Sequence, residues 1–134
     1  MKMRMALVLL ACISGTALAQ WTELGVASQR NTTYFLDLTT LEKAPDGKVT
    51  VSYLFDLKTA RECDNQPNLY LSSTGDHEVD CKAKMYRVVS CTRYSQNMAK
   101  GDVVSVTNEP NEWSGIPPHS KFAKMYKVVC GAAR

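Results

Sequence analysis

The alternation of side chains between Lys48 and Leu57 constrains the fold more than any other feature of the sequence. Every second residue of this segment is apolar, and the residues between them are mostly polar. Successive side chains of a β-strand point to opposite faces, so this period of two predicts a strand with one face on a hydrophobic core. The apolar face consists of Val49, Val51, Tyr53, Phe55 and Leu57.

Other segments carry strand patterns built from β-branched, aromatic or alternating residues. In Thr33 to Leu38, for example, Tyr34, Leu36 and Leu38 share one face. The remaining predicted strands cover residues 21–26, 69–71, 77–81, 84–94 and 103–107, with a kink at 81–83. Between the strands we expect turns at 44–47, 72–76 and 97–102, a helical turn over 39–43, and a loop over 58–67 that carries Cys63.

The last element is predicted to be an amphipathic helix. Its apolar residues recur with the spacing of one helix face, and Lys121, Lys124 and Lys127 fall on the opposite, solvated face. Ser120 can cap the first turn and Gly131 can end the helix. The apolar face consists of Phe122, Met125, Tyr126, Val129 and Cys130. Strands followed by one helix predict an α+β fold: an antiparallel β-sheet of about five or six strands with a C-terminal helix packed on one face.

The first 19 residues have the organisation of a signal peptide. A basic start is followed by an apolar stretch and then by Ala17-Leu18-Ala19, the small residues that signal peptidase requires. Cleavage is therefore predicted before Gln20, which leaves one domain over residues 20–134 and a soluble product that is periplasmic or secreted. The alternative is a lipobox, Leu9-Leu10-Ala11-Cys12, in which a lipidated Cys12 would anchor an outer-membrane lipoprotein.

Charge and hydropathy exclude several classes of function. The chain of 134 residues has 16 basic and 13 acidic side chains, and removal of Lys2 and Arg4 with the leader lowers the basic count to 14. A nearly neutral exported domain offers no basic surface for nucleic acid, so no nucleic-acid partner is expected. No run of about 18 apolar residues occurs, so no spanning helix is predicted either.

The cysteines support export. Four remain after the leader, and an even number in a small exported domain predicts two disulfides. Three pairings of the four are open on the sequence alone. A zinc site is the alternative, but there is no C-x-x-C and neither histidine stands at ligand spacing from a cysteine, so no metal is expected. The four residues are Cys63, Cys81, Cys91 and Cys130.

The sequence contains no recognisable catalytic constellation. A nucleophile with a general base would need one of the two histidines, but His77 and His119 both resemble solvated surface residues outside any known motif. The carboxylates of Glu78 and Asp80 share one strand face, as is common on solvated surfaces. We therefore expect no enzyme activity and no cofactor.

Aromatic residues and a long loop are the remaining candidates for binding. Aromatic side chains dominate the energetics of protein interfaces, and Tyr94 and Trp113 are candidates of this kind. Trp113 stands in a polar, Pro-bearing loop, Asn108 to Pro118, which also holds the third candidate, Asn111. The alternative for Trp113 is a structural role in which it covers the edge between sheet and helix.

Three groups of residues together resemble a known family. They are Tyr34-Phe35-Leu36-Asp37; Val79-Asp80-Cys81 with Tyr86-Arg87 and Tyr94-Ser95; and Trp113-x-x-Ile116-Pro117-x-x-Ser120 leading to Val128-Val129-Cys130. Placed after a signal peptide, this combination resembles the surface-adhesin E family of Gram-negative bacteria, over roughly residues 21 to 132.

The resemblance implies a fold, a disulfide and a function. It implies an antiparallel sheet with a helix packed on it and a bridge between Cys81 and Cys130. Cys63 and Cys91 depart from the two-cysteine pattern of the family, and we expect them to form a second bridge. The family implies an exported, non-catalytic module that binds a protein partner, an extracellular-matrix or envelope protein, with a homodimer through an unpaired strand edge as a further expectation. The alternative is a small exported enzyme or enzyme inhibitor of the periplasm.

Overall fold

A computed structural model of the chain describes residues 20–27, 31–63 and 68–133. The predicted signal peptide, including Cys12, lies outside the described residues. Six strands form an antiparallel meander in which each strand pairs with the next along the chain, and a seventh, very short strand pairs with the fifth. The elements are β1 (Thr22–Ala27), β2 (Thr32–Lys43), β3 (Val49–Glu62), β4 (Leu69–Asp80), β5 (Met85–Tyr94), β6 (Val103–Thr107), β7 (Ser114–Gly115) and the helix α1 (Lys121–Ala132).

The helix covers one face of the sheet, as the two periodicities predict. We call this the helix face and the opposite one the open face. Val51 of β3 lies opposite His77 of β4, and both are fully buried on the helix face. Met125 and Val129 of α1 pack against these strands and are also fully buried. The helix packs mainly across β1 to β4 and reaches the start of β5 at Tyr86, whose ring stacks on Phe122 at 4.5 Å. The later part of β5, together with β6, extends beyond the helix.

The helix has its predicted start and a slightly later end. Ser120 Oγ accepts a hydrogen bond of 3.1 Å from the backbone N–H of Ala123, the expected N-cap. The helix continues through Gly131 and is capped at Ala133. The prediction that Lys121 lies on the solvated face of the helix is wrong. Its Nζ lies 4.5 Å from the ring centroid of Phe55, and the residue is only partly exposed.

One of the two expected disulfides is present. Cys81, after β4, is bonded to Cys130 of α1, with the Cα atoms 5.9 Å apart, so the bridge ties the helix to the end of the sheet. The other expected bridge is wrong, because Cys63 and Cys91 are both free thiols. Cys63 Sγ lies 3.9 Å from Ser105 Oγ, whereas Cys91 lies opposite Thr107.

The separation of the two thiols follows from the register of β5 and β6. Ser105 is opposite Arg93, which is two positions along β5 from Cys91. Two strand residues span roughly 7 Å, and a disulfide needs its Cβ atoms about 4 Å apart. Ser105, which Cys63 contacts, is therefore too far along the strands from Cys91 for a disulfide between Cys63 and Cys91.

Three polar segments that the sequence predicts to be turns, loops or a helical turn belong to β-strands in the structure. Residues 39–43 belong to β2, residues 58–62 to β3, and the predicted turn 72–76 lies in the middle of β4. β4 pairs on both sides, and these two ladders satisfy its backbone groups although its side chains are small and polar. His77 lies in the same strand and is 0% exposed, so its prediction as a solvated turn residue is wrong.

Gly75 is the residue that makes the segment 72–76 look like a turn. Its position demands glycine for a different reason: a Cβ at this position would lie 1.8 Å from the carbonyl oxygen of Ser90 on β5. That carbonyl accepts a hydrogen bond of 3.1 Å from the hydroxyl of Tyr53, which crosses over Gly75. The glycine therefore permits a close approach of three strands rather than a change of chain direction.

Candidate functional site

The candidate site is a groove on the helix face, formed where the hairpin of β3 and β4 bends across the sheet. The pairing of β3 with β4 shifts register between Asp56 and Arg61, and Cys63 after this shift contacts Ser105 of β6. In the sheet β5 lies between this hairpin and β6, so the end of the hairpin must cross over β5. The hairpin thereby forms one wall of a groove whose other wall is the start of α1.

Two adjoining cavities make up this groove. The larger has a volume of about 330 Å³ and lies above β5, and the smaller, about 180 Å³, lies against Lys121 and Phe122 of α1. They share Phe55, Tyr70 and Ser73, so they form one continuous surface, which we call the helix-face groove. Its further lining residues include Tyr53, Arg61, Cys91, Arg93, Thr107, Glu109 and Asn111.

The floor and walls of the helix-face groove combine aromatic rings with cations. The guanidinium of Arg93 lies 4.9 Å from the ring centroid of Tyr70, and the ammonium of Lys121 lies 4.5 Å from that of Phe55. Such pairs hold the cation against an apolar surface at the mouth of a groove. Arg61 adds a third positive charge and Glu109 one negative charge. The groove is therefore apolar with a positive rim.

An unpaired strand edge adjoins this groove. β6 pairs with β5 on one side, and no described strand pairs with its other side. Val103 and Val106 of β6 are each 57% exposed, and Thr107 at the end of the strand lines the helix-face groove. A free edge presents backbone N–H and C=O groups to any extended segment beside it.

Below the groove lies a sealed aromatic cluster around His77. The imidazole stacks on Tyr53 at 4.1 Å and is surrounded by the rings of Tyr34, Tyr86 and Phe122. Neither ring nitrogen has a hydrogen-bond partner among the described residues. Burial, together with the nearby positive charge of Lys121, lowers the pKa of His77 to about 3, so the ring is neutral at physiological pH.

The same burial makes the tyrosines of this cluster poor proton donors. Loss of hydration raises the pKa of Tyr34 well above its ordinary value, and the pKa of Tyr53 is raised by burial and by the neighbouring Cys91. A general acid or base must reach substrate and titrate near neutral pH. His77 and its neighbours satisfy neither condition.

The three residues predicted for binding do not meet at one place. Asn111 lines the helix-face groove, but its side-chain oxygen accepts a hydrogen bond of 2.8 Å from the N–H of Val88, and its own N–H donates to the Val88 carbonyl. Asn111 therefore attaches its loop to β5 at Val88, which precedes the part of β5 that pairs with β6. Tyr94 lies on the open face, where its hydroxyl is 3.4 Å from Thr74 Oγ1.

Trp113 also lies away from the groove. Its ring is 4.6 Å from the guanidinium of Arg87 and 5.8 Å from the ammonium of Lys48. Arg87 is paired at 2.9 Å with Glu78, which points to the open face because its strand neighbours His77 and Val79 are buried on the helix face. The alternative in which Trp113 covers the edge between sheet and helix is therefore wrong.

The residues that form the helix-face groove carry no local sequence motif. Arg61 falls in the segment predicted to be a loop, and Arg93 and Thr107 belong to strands whose neighbours in space depend on the bend of the hairpin. Tyr70 stands in a short predicted strand with no feature that marks its position. The hairpin crossing is a long-range contact, so no spacing along the chain indicates these residues as a set.

In residues 20–27, 31–63 and 68–133, no three His, Cys, Asp or Glu side chains cluster in a way that could hold a metal ion. Within the same ranges no helix is long and apolar enough to cross a membrane.

Comparison with known structures places the fold. Crystal form II of Haemophilus influenzae protein E superposes with a TM-score of 0.60 at 12% sequence identity, covering 73% of this chain and 80% of that one. Protein E from non-typeable Haemophilus influenzae gives a TM-score of 0.59 at 12% identity, covering 81% of this chain and 75% of that one. At this identity the likeness concerns the fold alone. No curated protein sequence matches the chain.

The family itself is established from the sequence pattern of the whole domain. The family model described as surface-adhesin protein E matches residues 21–131, which include all seven strands and nearly the whole helix. The resemblance in the three groups of residues is thereby confirmed, and so is the fold that it implies. The chain is a member of the surface-adhesin protein E family.

Proposed function

We propose that this protein is an exported, non-catalytic binding module that holds an extended segment of a protein partner along β6 and in the helix-face groove. The observation that carries the proposal is the free edge of β6, whose last residue, Thr107, lines a groove of about 330 Å³ on the helix face. Val103 and Val106 are each 57% exposed on the same edge, and their strand partners, Tyr94 and Thr92, place both side chains on the open face. Apolar residues exposed on an unpaired edge are a hazard for a protein that has no partner there. An extended segment paired with β6 would cover both valines on the open face, and its alternate side chains would lie on the helix face, towards the groove.

The chemistry of the groove indicates the character of that segment. Main-chain hydrogen bonds to β6 supply affinity without regard to sequence, and the side chains that enter the adjoining groove supply specificity. The groove is floored by Phe55 and Tyr70 and rimmed by Arg61, Arg93 and Lys121. It suits apolar or aromatic side chains followed by carboxylates, since opposite charges at a rim favour association.

Family membership supports a partner on the host or in the envelope, because the family is described as surface adhesins. We propose an extracellular-matrix or envelope protein as that partner, and export by the predicted signal peptide to the periplasm or beyond. A second copy of this chain is another extended partner that β6 could accept. The alternative of a small enzyme has less support, because neither histidine lines the helix-face groove.

The test is a binding titration of purified, oxidised protein against a panel of extracellular-matrix proteins. Val106→Lys puts a charge on the free edge, and Arg93→Glu reverses a charge on the groove rim. Each is expected to weaken binding at least about tenfold, which corresponds to roughly 1.4 kcal/mol. Thr22→Lys adds the same charge to the opposite edge strand, and Trp113→Ala removes an aromatic outside the groove, so both controls should bind as the wild type does.

Oligomeric state is measured on the same samples by light scattering. A wild-type dimer that becomes a monomer in Val106→Lys would identify a second copy as the occupant of β6. Loss of binding in Thr22→Lys or Trp113→Ala, with Val106→Lys and Arg93→Glu unaffected, would overturn the proposed surface. Circular dichroism of each variant shows whether its fold is retained.

A further inference from the structure

Asp37 of β2 is a buried carboxylate for which the described residues show no ion pair with a basic side chain. Asp37 of β2 is only 3% exposed. One carboxylate oxygen accepts hydrogen bonds from the backbone N–H of Thr39 at 3.0 Å and from the Thr39 hydroxyl. The ion pairs Lys48–Asp46 and Arg87–Glu78 do not involve Asp37.

Such a carboxylate is costly to bury without a positive charge. Transfer of a carboxylate out of water is unfavourable unless hydrogen bonds and an opposite charge compensate for lost hydration. Neutral donors from Thr39 provide hydrogen bonds but no charge. The second carboxylate oxygen of Asp37 is directed at another group, the backbone nitrogen of Gln20, at 3.2 Å.

Gln20 is the residue that signal peptidase is predicted to leave at the N-terminus. In the uncleaved chain its nitrogen is a neutral amide. Hydrolysis of the Ala19–Gln20 bond consumes one water, leaves a carboxylate on Ala19, and gives Gln20 an α-amino group that is protonated near neutral pH. We propose that Asp37 is the acceptor for the mature N-terminus, so that processing creates an ion pair between the Gln20 ammonium and the Asp37 carboxylate.

The cavity around Asp37 on the open face is consistent with an N-terminus bound at this position. Trp21, next to Gln20, lines an open-face cavity of about 540 Å³ together with Asp37, Thr39, Thr40 and Ser52. β1 begins one residue later, at Thr22, which lies opposite Leu36 of β2. The ion pair therefore fastens the first residues of the edge strand β1 to its neighbour. An uncleaved precursor, or a chain lipidated at Cys12, lacks this charge and forms a less stable domain.

The experiment compares two forms of the chain that differ by one residue. One form begins at Gln20 and the other retains Ala19, and each is made with wild-type sequence, Asp37→Asn and Asp46→Asn. All described strands and the helix lie within residues 22–132, so both forms contain every element of the fold. Urea unfolding gives the folding equilibrium constant of each protein. In a parallel experiment, the full chain with residues 1–19 is expressed in a bacterial host, and the intact mass of the exported product is measured.

We expect retention of Ala19 to lower the folding equilibrium constant of the wild type about tenfold. Asp46 is an exposed turn residue, so Asp46→Asn should show the same tenfold effect. Asp37→Asn should show none, because its neutral amide cannot pair with a charge. The exported product should begin at Gln20.

Three results would overturn the proposal: no effect of Ala19 in the wild type, an equal effect in Asp37→Asn, or an exported product that begins at a lipidated Cys12. If Asp37→Asn does not fold, N-acetylation of Gln20 in the wild type serves instead. Acetylation keeps an N–H donor and removes the charge, so it should produce the same loss as Ala19. Unchanged stability after acetylation would equally refute the ion pair.

Discussion

The burial of His77 predicts that the protein loses stability in mild acid. The folded pKa is about 3 and the unfolded pKa about 6.5, so the folded state binds fewer protons than the unfolded state between these values. Stability is therefore complete above about pH 6.5 and falls as the pH decreases towards 3. Each pH unit well below 6.5 removes about 1.4 kcal/mol, which gives a loss of about 2 kcal/mol at pH 5.

The structure explains why the loss should be of this size. Protonation would place a positive charge on a fully buried ring with no hydrogen-bond partner among the described residues. The charged group that faces it is Lys121, which is also positive and opposes protonation. The surrounding tyrosine rings are neutral in this pH range, because the ordinary tyrosine pKa is about 10. Burial raises the pKa of Tyr34, Tyr53 and Tyr86 further.

Urea unfolding at several pH values between 7.5 and 5 measures the effect, in a range where most carboxylates remain ionised. His77→Leu replaces the ring with an apolar side chain and should abolish most of the pH dependence. His119, the other histidine, is exposed in a turn with φ of 59°, which asparagine tolerates. His119→Asn is therefore the matched control and should keep the wild-type slope.

Two results would refute this reasoning. The first is a wild-type free energy of unfolding that does not change between pH 7.5 and 5. The second is a His77→Leu protein that loses stability as steeply as the wild type, since the titrating group would then lie elsewhere.

Three further predictions concern packing and the cysteines. Gly75→Ala should destabilise the protein by at least about 2 kcal/mol, because the new Cβ would collide with a carbonyl of β5; Gly115→Ala, with nothing within 4 Å, should stay within about 0.5 kcal/mol of wild type in the same urea assay. Cys130→Ser should cost about 4 kcal/mol in the chain-entropy model for a bridge that spans 49 residues, and a loss below about 1 kcal/mol in thermal unfolding would contradict it. Thiol titration of the unfolded, unreduced chain that begins at Gln20 should find two free thiols, Cys63 and Cys91, and finding none would restore the second bridge.

Local pattern alone predicts much of this fold. The alternation from Val49 to Leu57 and the helical spacing from Phe122 to Cys130 each follow from the direction of side chains in one element, and both elements have the predicted buried faces. The polar segment 72–76 shows where such inference fails. Its small side chains and Gly75 look like a turn, but pairing with strands on both sides and the close approach of Tyr53 and Ser90 make it strand.

The candidate sites depend on contacts between residues that are distant in sequence. The period of two places Tyr53 on the core face but does not show that His77 stacks on it or that the hairpin end, with Cys63, crosses to β6. The sequence by itself determined the sheet, the helix and the face that each buries, because these depend on the order of side chains within one element. Only the tertiary structure decided which thiols can meet, which histidine is sealed from water and where a groove opens, because these depend on the register and bending of strands far apart in the chain.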